Sequence, residues 1–163
     1  VNRLGNPANI VSIETAVGTE AKRALYQRLR ATRSEGIVFK LVDSGYGEGK
    51  TDDMLKVKFI ESATLQVASI HPTKRSVTVQ AFDDMGVAVP LGSVTVPANY
   101  PIPTVGELVE IEYLYVVKSL VQPVFRGVRT DQTLASCTLR QLKYRAGLGE
   151  EDAQNDDDAL LAA

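Results

Sequence analysis

The sequence contains a single cysteine, Cys137, and a single histidine, His71. One cysteine excludes an internal disulfide and fits a reducing compartment, and one histidine leaves no Cys/His cluster for a structural zinc site. A metal held by carboxylates stays open. No apolar run approaches the ~20 residues of a membrane span, and the first residues lack the basic-then-apolar layout of a signal peptide. A cytoplasmic location is the expectation. A strong charge of one sign is missing too: 18 basic residues face 20 acidic ones, for a formal net charge of -2. Whole-chain charge therefore does not advertise a nucleic-acid partner, but its distribution is uneven. From Gly149 the chain reads "GEEDAQNDDDALLAA", with six acids and no base, leaving 18 bases against 14 acids, about +4, in residues 1–148. Residues 149–163 read as a disordered acidic extension of a mildly basic folded part.

What is present suits one domain, or one small domain with an attached piece: 163 residues, 44% hydrophobic, enough for a packed core. The chain opens on Val1, not Met, and the expectation is that it is cut from something longer. "TEAKRALYQRLRAT" predicts an amphipathic helix, with Ala21, Ala24, Leu25, Arg28 and Leu29 on one face and Thr19 as N-cap. After it come strand patterns at 35–42, 54–61, 63–70, 75–82, 86–97 and 107–117. They are separated by "HPTK", "DDMG" and "NYPIPTVG", whose Pro, Asp, Asn and Gly residues mark turns. From about Ser62 to Arg129, four or five strands at roughly ten-residue spacing suggest a small barrel of the OB-fold type, a five-stranded architecture that often binds nucleic acid. The expected fold class is mainly β. The first sixty residues, one helix and two strands, cannot bury a core of their own and look like the end of a larger domain.

"SGYGEGKT", Ser44 to Thr51, resembles a phosphate-binding loop, but two features argue against that reading. The pattern needs a glycine where Ser44 stands, to turn the backbone so that its N–H groups face phosphate. It also needs a helix afterwards, whereas "MLKVKF" alternates with period two. A Gly-rich turn between two strands is the better reading.

On either side of that turn lie "SEGIVFK" (34–40) and "LKVKF" (55–59). Strand alternation places Glu35, Ile37 and Phe39 on one face and Gly36, Val38 and Lys40 on the other, while Lys56 and Lys58 share a face. Neighbouring lysines on a strand repel unless an anion lies between or above them. A phosphate would relieve that repulsion, and a nearby carboxylate could hold Mg²⁺ together with substrate phosphates. An ordinary solvent-facing Lys-x-Lys strand is the alternative.

The two stretches resemble the fourth and fifth motifs of covalent nucleotidyltransferases, the polynucleotide ligases and mRNA-capping enzymes, written E-G-[IVL]-[IVM]-x-[KR] and [LW]-K-x-K. The helix running directly into Glu-Gly is similar to that of ATP-dependent ligases. A third stretch, "QPVFRGVRTDQ" (122–132), resembles the sixth motif near the end of the ligase OB domain. The resemblance identifies the chain with the C-terminal part of an ATP-dependent DNA ligase. Residues 1–61 would be the end of the adenylation domain, 62–148 the OB-fold domain and 149–163 the tail. It implies ATP and Mg²⁺ as cofactors and nicked double-stranded DNA as partner, together with the N-terminal adenylation half of the same protein. Glu35 would bind the metal. Lys56 and Lys58 would neutralise the α-phosphate as pyrophosphate leaves, with Lys40 a further cofactor-binding candidate. Arg129 and Asp131 would orient the β- and γ-phosphates when the barrel closes over ATP; opening would free the barrel to grip the nick.

There are two departures from the pattern. Gln132 stands where ligases commonly have lysine. The nucleophilic lysine of K-x-[DN]-G is absent; "KTDD" at Lys50 comes nearest and lacks the glycine, so no lysyl-AMP can be assigned in this chain. An RNA ligase or capping-type enzyme would share all three motifs, and a non-catalytic OB module that binds nucleic acid is the reading from a different class. Lys74, Arg75 and Arg126, with Arg140, Lys143 and Arg145, are candidates to line a duplex backbone. His71 reads as surface loop, Cys137 as a small buried residue, and Tyr113 and Tyr115 as packing residues on one strand face.

Overall fold

The computed structural model describes residues 13–45, 47–49 and 51–145. The acidic stretch 149–163, Lys50 and Val1 lie outside them. Among the described residues no helix is long and apolar enough to cross a membrane.

Helix α1 runs Thr19–Ala31, and its N-cap is Gly18 at φ 85°, not Thr19. The buried side is centred on Leu25, with Tyr26 and Leu29 half-buried, while Ala21 and Ala24 face solvent. The face is turned relative to the expected one because Tyr26 meets Phe59 edge-to-face, ring centroids 5.2 Å apart. An aromatic contact of this kind buries far more area than two alanines could. The helix ends in a Schellman arrangement: Ser34 N–H bonds to Leu29 O (3.0 Å) and Arg33 N–H to Arg30 O (3.2 Å), with Arg33 left-handed at φ 55°. That turn is satisfied by glycine at no steric cost and here by arginine. It delivers the chain straight into Glu35 and Gly36.

Strands β1 (Gly36–Lys40) and β2 (Met54–Lys58) form a two-stranded antiparallel sheet, so a strand and not a helix follows Thr51. The remaining strands, β3 (Glu61–Ile70), β4 (Ser76–Phe82), β5 (Ala88–Thr95), β6 (Leu108–Tyr113) and β7 (Val124–Val128), form one antiparallel sheet in the order β5-β4-β3-β6-β7. This is the order of an OB-type barrel, in which the outer strands curl towards each other. Here β5 approaches β7, and Leu120 N–H, from the β6–β7 loop, bonds to Leu91 O of β5 at 3.0 Å. The inward alternation of β4, with Val77, Val79 and Ala81 buried, meets Leu65, Val67, Val109, Ile111, Tyr113 and Phe125 in one core.

β6 stops at Tyr113, short of the expected 117, and β7 falls inside the stretch singled out for its third motif. A bulge between Glu110 and Ile111 and Gly127 at φ 151° break the period-two pattern there. Beyond β7 the chain closes the barrel's end. Thr64 has no β4 partner, and the Gln141 side chain takes that place. Its Oε1 accepts from Thr64 N–H and its Nε2 donates to Thr64 O, both at 2.9 Å.

Candidate functional site

The β1–β2 register sets which side chains share a face. Gly36 lies opposite Lys58, Val38 opposite Lys56 and Lys40 opposite Met54. Directly opposed residues in an antiparallel pair point to the same side, so Lys40, Lys56 and Lys58 share one exposed face. Glu35, whose carbonyl accepts from Phe59 N–H at 2.9 Å, belongs by alternation to the other. It nevertheless lines the same open cleft of about 180 Å³ with Gly36, Val38, Lys56 and Lys58. That volume falls below the ~300 Å³ at the lower end of ligand pockets.

Gly36 explains why glutamate is followed by glycine here. A Cβ on it would lie 2.2 Å from Val57 O and 3.0 Å from Lys58 Cα. The strands approach too closely at this point for any side chain, and the obstacle is backbone that cannot rotate away. The close approach brings Gly36 against the backbone of Val57 and Lys58 at the open end of the hairpin. Lys58 is in turn anchored, its Nζ donating to Gln122 Oε1 at 2.5 Å, with Gln122 in the left-handed region at φ 54° on the β6–β7 loop.

Among the described residues no group of three or more His, Cys, Asp or Glu side chains could hold a metal ion. Glu35 offers one carboxylate. That donor set fits Mg²⁺ in the mode the ion commonly adopts, one or two carboxylates with substrate phosphates completing the shell.

Arg129 and Asp131 are paired with each other on the barrel. Arg129 Nε and a terminal nitrogen donate to the two carboxylate oxygens at 2.8 and 2.7 Å, and Glu110 lies 3.8 Å from the guanidinium. The guanidinium, assisted by Gln132, holds the Asp131 carboxyl well below the usual carboxylate range. Gln132 thus has a local role where the motif has lysine. Its Nε2 donates to Asp131 at 3.3 Å.

The candidate duplex contacts divide. Lys74 is exposed on the β3–β4 loop, whose shape comes from His71: Nδ1 accepts from Thr73 N–H (3.2 Å) and Lys74 N–H (3.1 Å). Arg75 is committed to the turn after β5, bonding Val96 O at 3.3 Å, Pro97 O at 3.1 Å and Tyr100 O at 2.5 Å. Arg126 is paired with Glu112, which raises its already high pKa. Arg140 is bidentate to Asp84, both bonds 2.7 Å, and Arg145 stacks over Tyr115 at 5.9 Å. Lys143 is buried, so the reading of it as a surface phosphate contact is corrected. Its position between Leu142 and Tyr144 carries no sequence signal of burial. Cys137 is fully buried, with burial pushing its thiol up, and Tyr113 is in the core.

Neither a protein-family model nor any curated protein matches the chain in sequence. Solved structures do match in fold. One, from a structure–function study of Lig E DNA ligases described as DNA binding with a minimal scaffold, superposes with a TM-score of 0.53 at 22% identity, covering 71% of this chain and 48% of the other. Two others, Pmar-Lig_PreS3 and Pmar-Lig_Pre, give TM-scores of 0.55 and 0.54 at 22% and 23% identity, covering 69% and 71% of this chain. The chain spans about half of the first structure's length and 32% of each of the others. The fold is thus shared with a DNA ligase.

Proposed function

We propose that the chain is the C-terminal part of an ATP-dependent DNA ligase, residues 1–61 ending its adenylation domain and 62–148 forming its OB-fold domain. The observation that carries this reading is the pairing of two things in one chain. An exposed Lys-x-Lys strand is clamped to a Glu-Gly strand through a contact only glycine permits. Directly after it comes a barrel in OB strand order. A module that only bound nucleic acid would have no need of the first.

In this reading Lys56 and Lys58 lie along the α-phosphate and offset its developing charge, which is worth most where water is excluded. Glu35 would hold Mg²⁺, and the ion would supply charge shielding for the triphosphate. Arg129, held by its bidentate pair with Asp131, would meet the outer phosphates when the barrel closes, and exposed Lys74 would track the duplex backbone when it opens. The nucleophilic lysine lies outside this chain. Both long edges of the β1–β2 sheet carry no further strand among the described residues, and Val38, Met54 and Leu55 are exposed. A larger sheet supplied by the adenylation half would cover them. Nick sealing through enzyme-adenylate and DNA-adenylate intermediates is then the work of the whole protein, in the cytoplasm.

The test is to titrate ATP with Mg²⁺ into the isotopically labelled full protein from its source, in which the adenylation half completes the site. Amide shifts at Gly36, Lys56 and Lys58 are expected. Shifts elsewhere only, or none, would remove the basis for the assignment.

A further inference from the structure

Lys143 is 6% exposed, and the phosphate reading makes no use of it. Its backbone belongs to the barrel. The Lys143 N–H donates to the hydroxyl of core Tyr113 at 2.9 Å, and its carbonyl accepts from Val116 N–H at 2.8 Å. Its ammonium belongs elsewhere. Nζ donates to Phe59 O at 3.0 Å and Ser34 O at 3.3 Å. Ser34 O is the carbonyl of the peptide that leads into Glu35, and Phe59 directly follows Lys58. Phe59 N–H in turn bonds to Glu35 O. One ammonium, on a backbone fixed in the barrel, therefore bridges the start of β1 and the end of β2, the two points where Glu35 and Lys58 stand.

A buried ammonium is costly unless its donors are satisfied. Desolvation pulls this one's pKa down, Glu61 and Glu35 oppose that fall, and Arg33 and Arg30 add to it. An apolar side chain would fill the same space without this cost. What it could not do is fix two carbonyls in direction.

We propose, on the reading of β1 and β2 as phosphate-handling strands, that Lys143 is a positioning residue that pins the Glu35 and Lys58 ends of the hairpin to the barrel. Lys56 and Lys58 thereby keep a set orientation towards the OB sheet, and releasing the barrel requires releasing this ammonium.

The experiment compares Lys143→Met, of similar length without charge, with Lys143→Arg, following amide exchange at Phe59 and, in the barrel core, at Val79 and Val109. In the methionine variant Phe59 should exchange roughly tenfold faster or more, as expected for two carbonyls left without their donor, with Val79 and Val109 unchanged. The ATP needed for half-maximal shifts at Lys56 and Lys58 should rise, and arginine should restore at least half of both effects. Lys143→Gln supplies the same comparison should methionine prevent folding. Unchanged exchange at Phe59 overturns the proposal. So does a parallel acceleration at all three amides, which would make Lys143 a general stability residue, or an arginine variant no better than methionine. If Phe59 accelerates as expected while ATP shifts nothing in the unsubstituted full protein, the pin stands and the phosphate reading falls.

Discussion

Gly36→Ala tests the geometry of the hairpin. The new methyl carbon would sit 2.2 Å from Val57 O, where carbon–oxygen contacts normally begin near ~3.3 Å. The strands must therefore part by about 1 Å. That displacement would stretch the Phe59 N–H to Glu35 O bond from 2.9 Å past the ~3.2 Å limit of a useful bond. Overpacking of this kind costs about 1–3 kcal/mol, and one or two lost backbone bonds add about 1 kcal/mol each, for a total of about 2–5 kcal/mol. A two-stranded hairpin is marginal on its own, so the damage should stay local. Cross-strand nuclear Overhauser contacts between Ile37 and Val57 should vanish, ATP-dependent shifts at Lys56 and Lys58 should go with them, and barrel amides should hold their protection. A variant that keeps these contacts and loses less than ~0.5 kcal/mol would refute the steric argument.

Arg75→Ala should lower stability by about 1–2 kcal/mol in denaturant titration through its lost carbonyl bonds. Lys74→Ala should leave stability unchanged and instead flatten the salt dependence of nicked-duplex binding by about 0.9 in the log–log slope. Cys137 should resist aromatic disulfide reagents at pH 8 until denaturant is added, because its thiol is both buried and held protonated; rapid labelling of the folded chain would contradict its place in the core. Asp131, whose folded carboxyl titrates below its unfolded value, should give stability that is complete at neutral pH. That contribution should be lost only as pH falls through the depressed value, with the carboxyl carbon resonance moving below the ordinary ~3.9. Titration in the ordinary range would mean that the Arg129 pair does not form in solution.

The elements legible in the sequence were those whose residues repeat with one period. "SVTVQAF" alternates and became β4, and the stretches at 54–61 and 63–70 became β2 and β3 with ends shifted by a few residues. β7 was missed because Gly127 and the adjoining bulge break its alternation. The helix was legible and its face only in part: Leu25 and Leu29 lie on the expected side, but the face is turned because Tyr26 follows a partner, Phe59, that is 33 residues away in sequence. The geometry of the candidate site was half legible. Glu35, Lys56 and Lys58 could be read as a motif, yet the reason for Gly36 depends on the register between two strands. Basic residues proved hardest. Lys74, Arg75 and Lys143 look alike in sequence, while one is exposed, one caps a turn and one is buried, a difference set by carbonyls contributed from distant parts of the chain.

The most direct test of the ligase account is to incubate the native polypeptide from its source with α-labelled ATP and Mg²⁺ and read size and label on a denaturing gel. The account predicts a band well above 17.7 kDa that carries acid-stable AMP. An unlabelled band at 17.7 kDa would contradict it and leave a nucleic-acid-binding module without the chemistry.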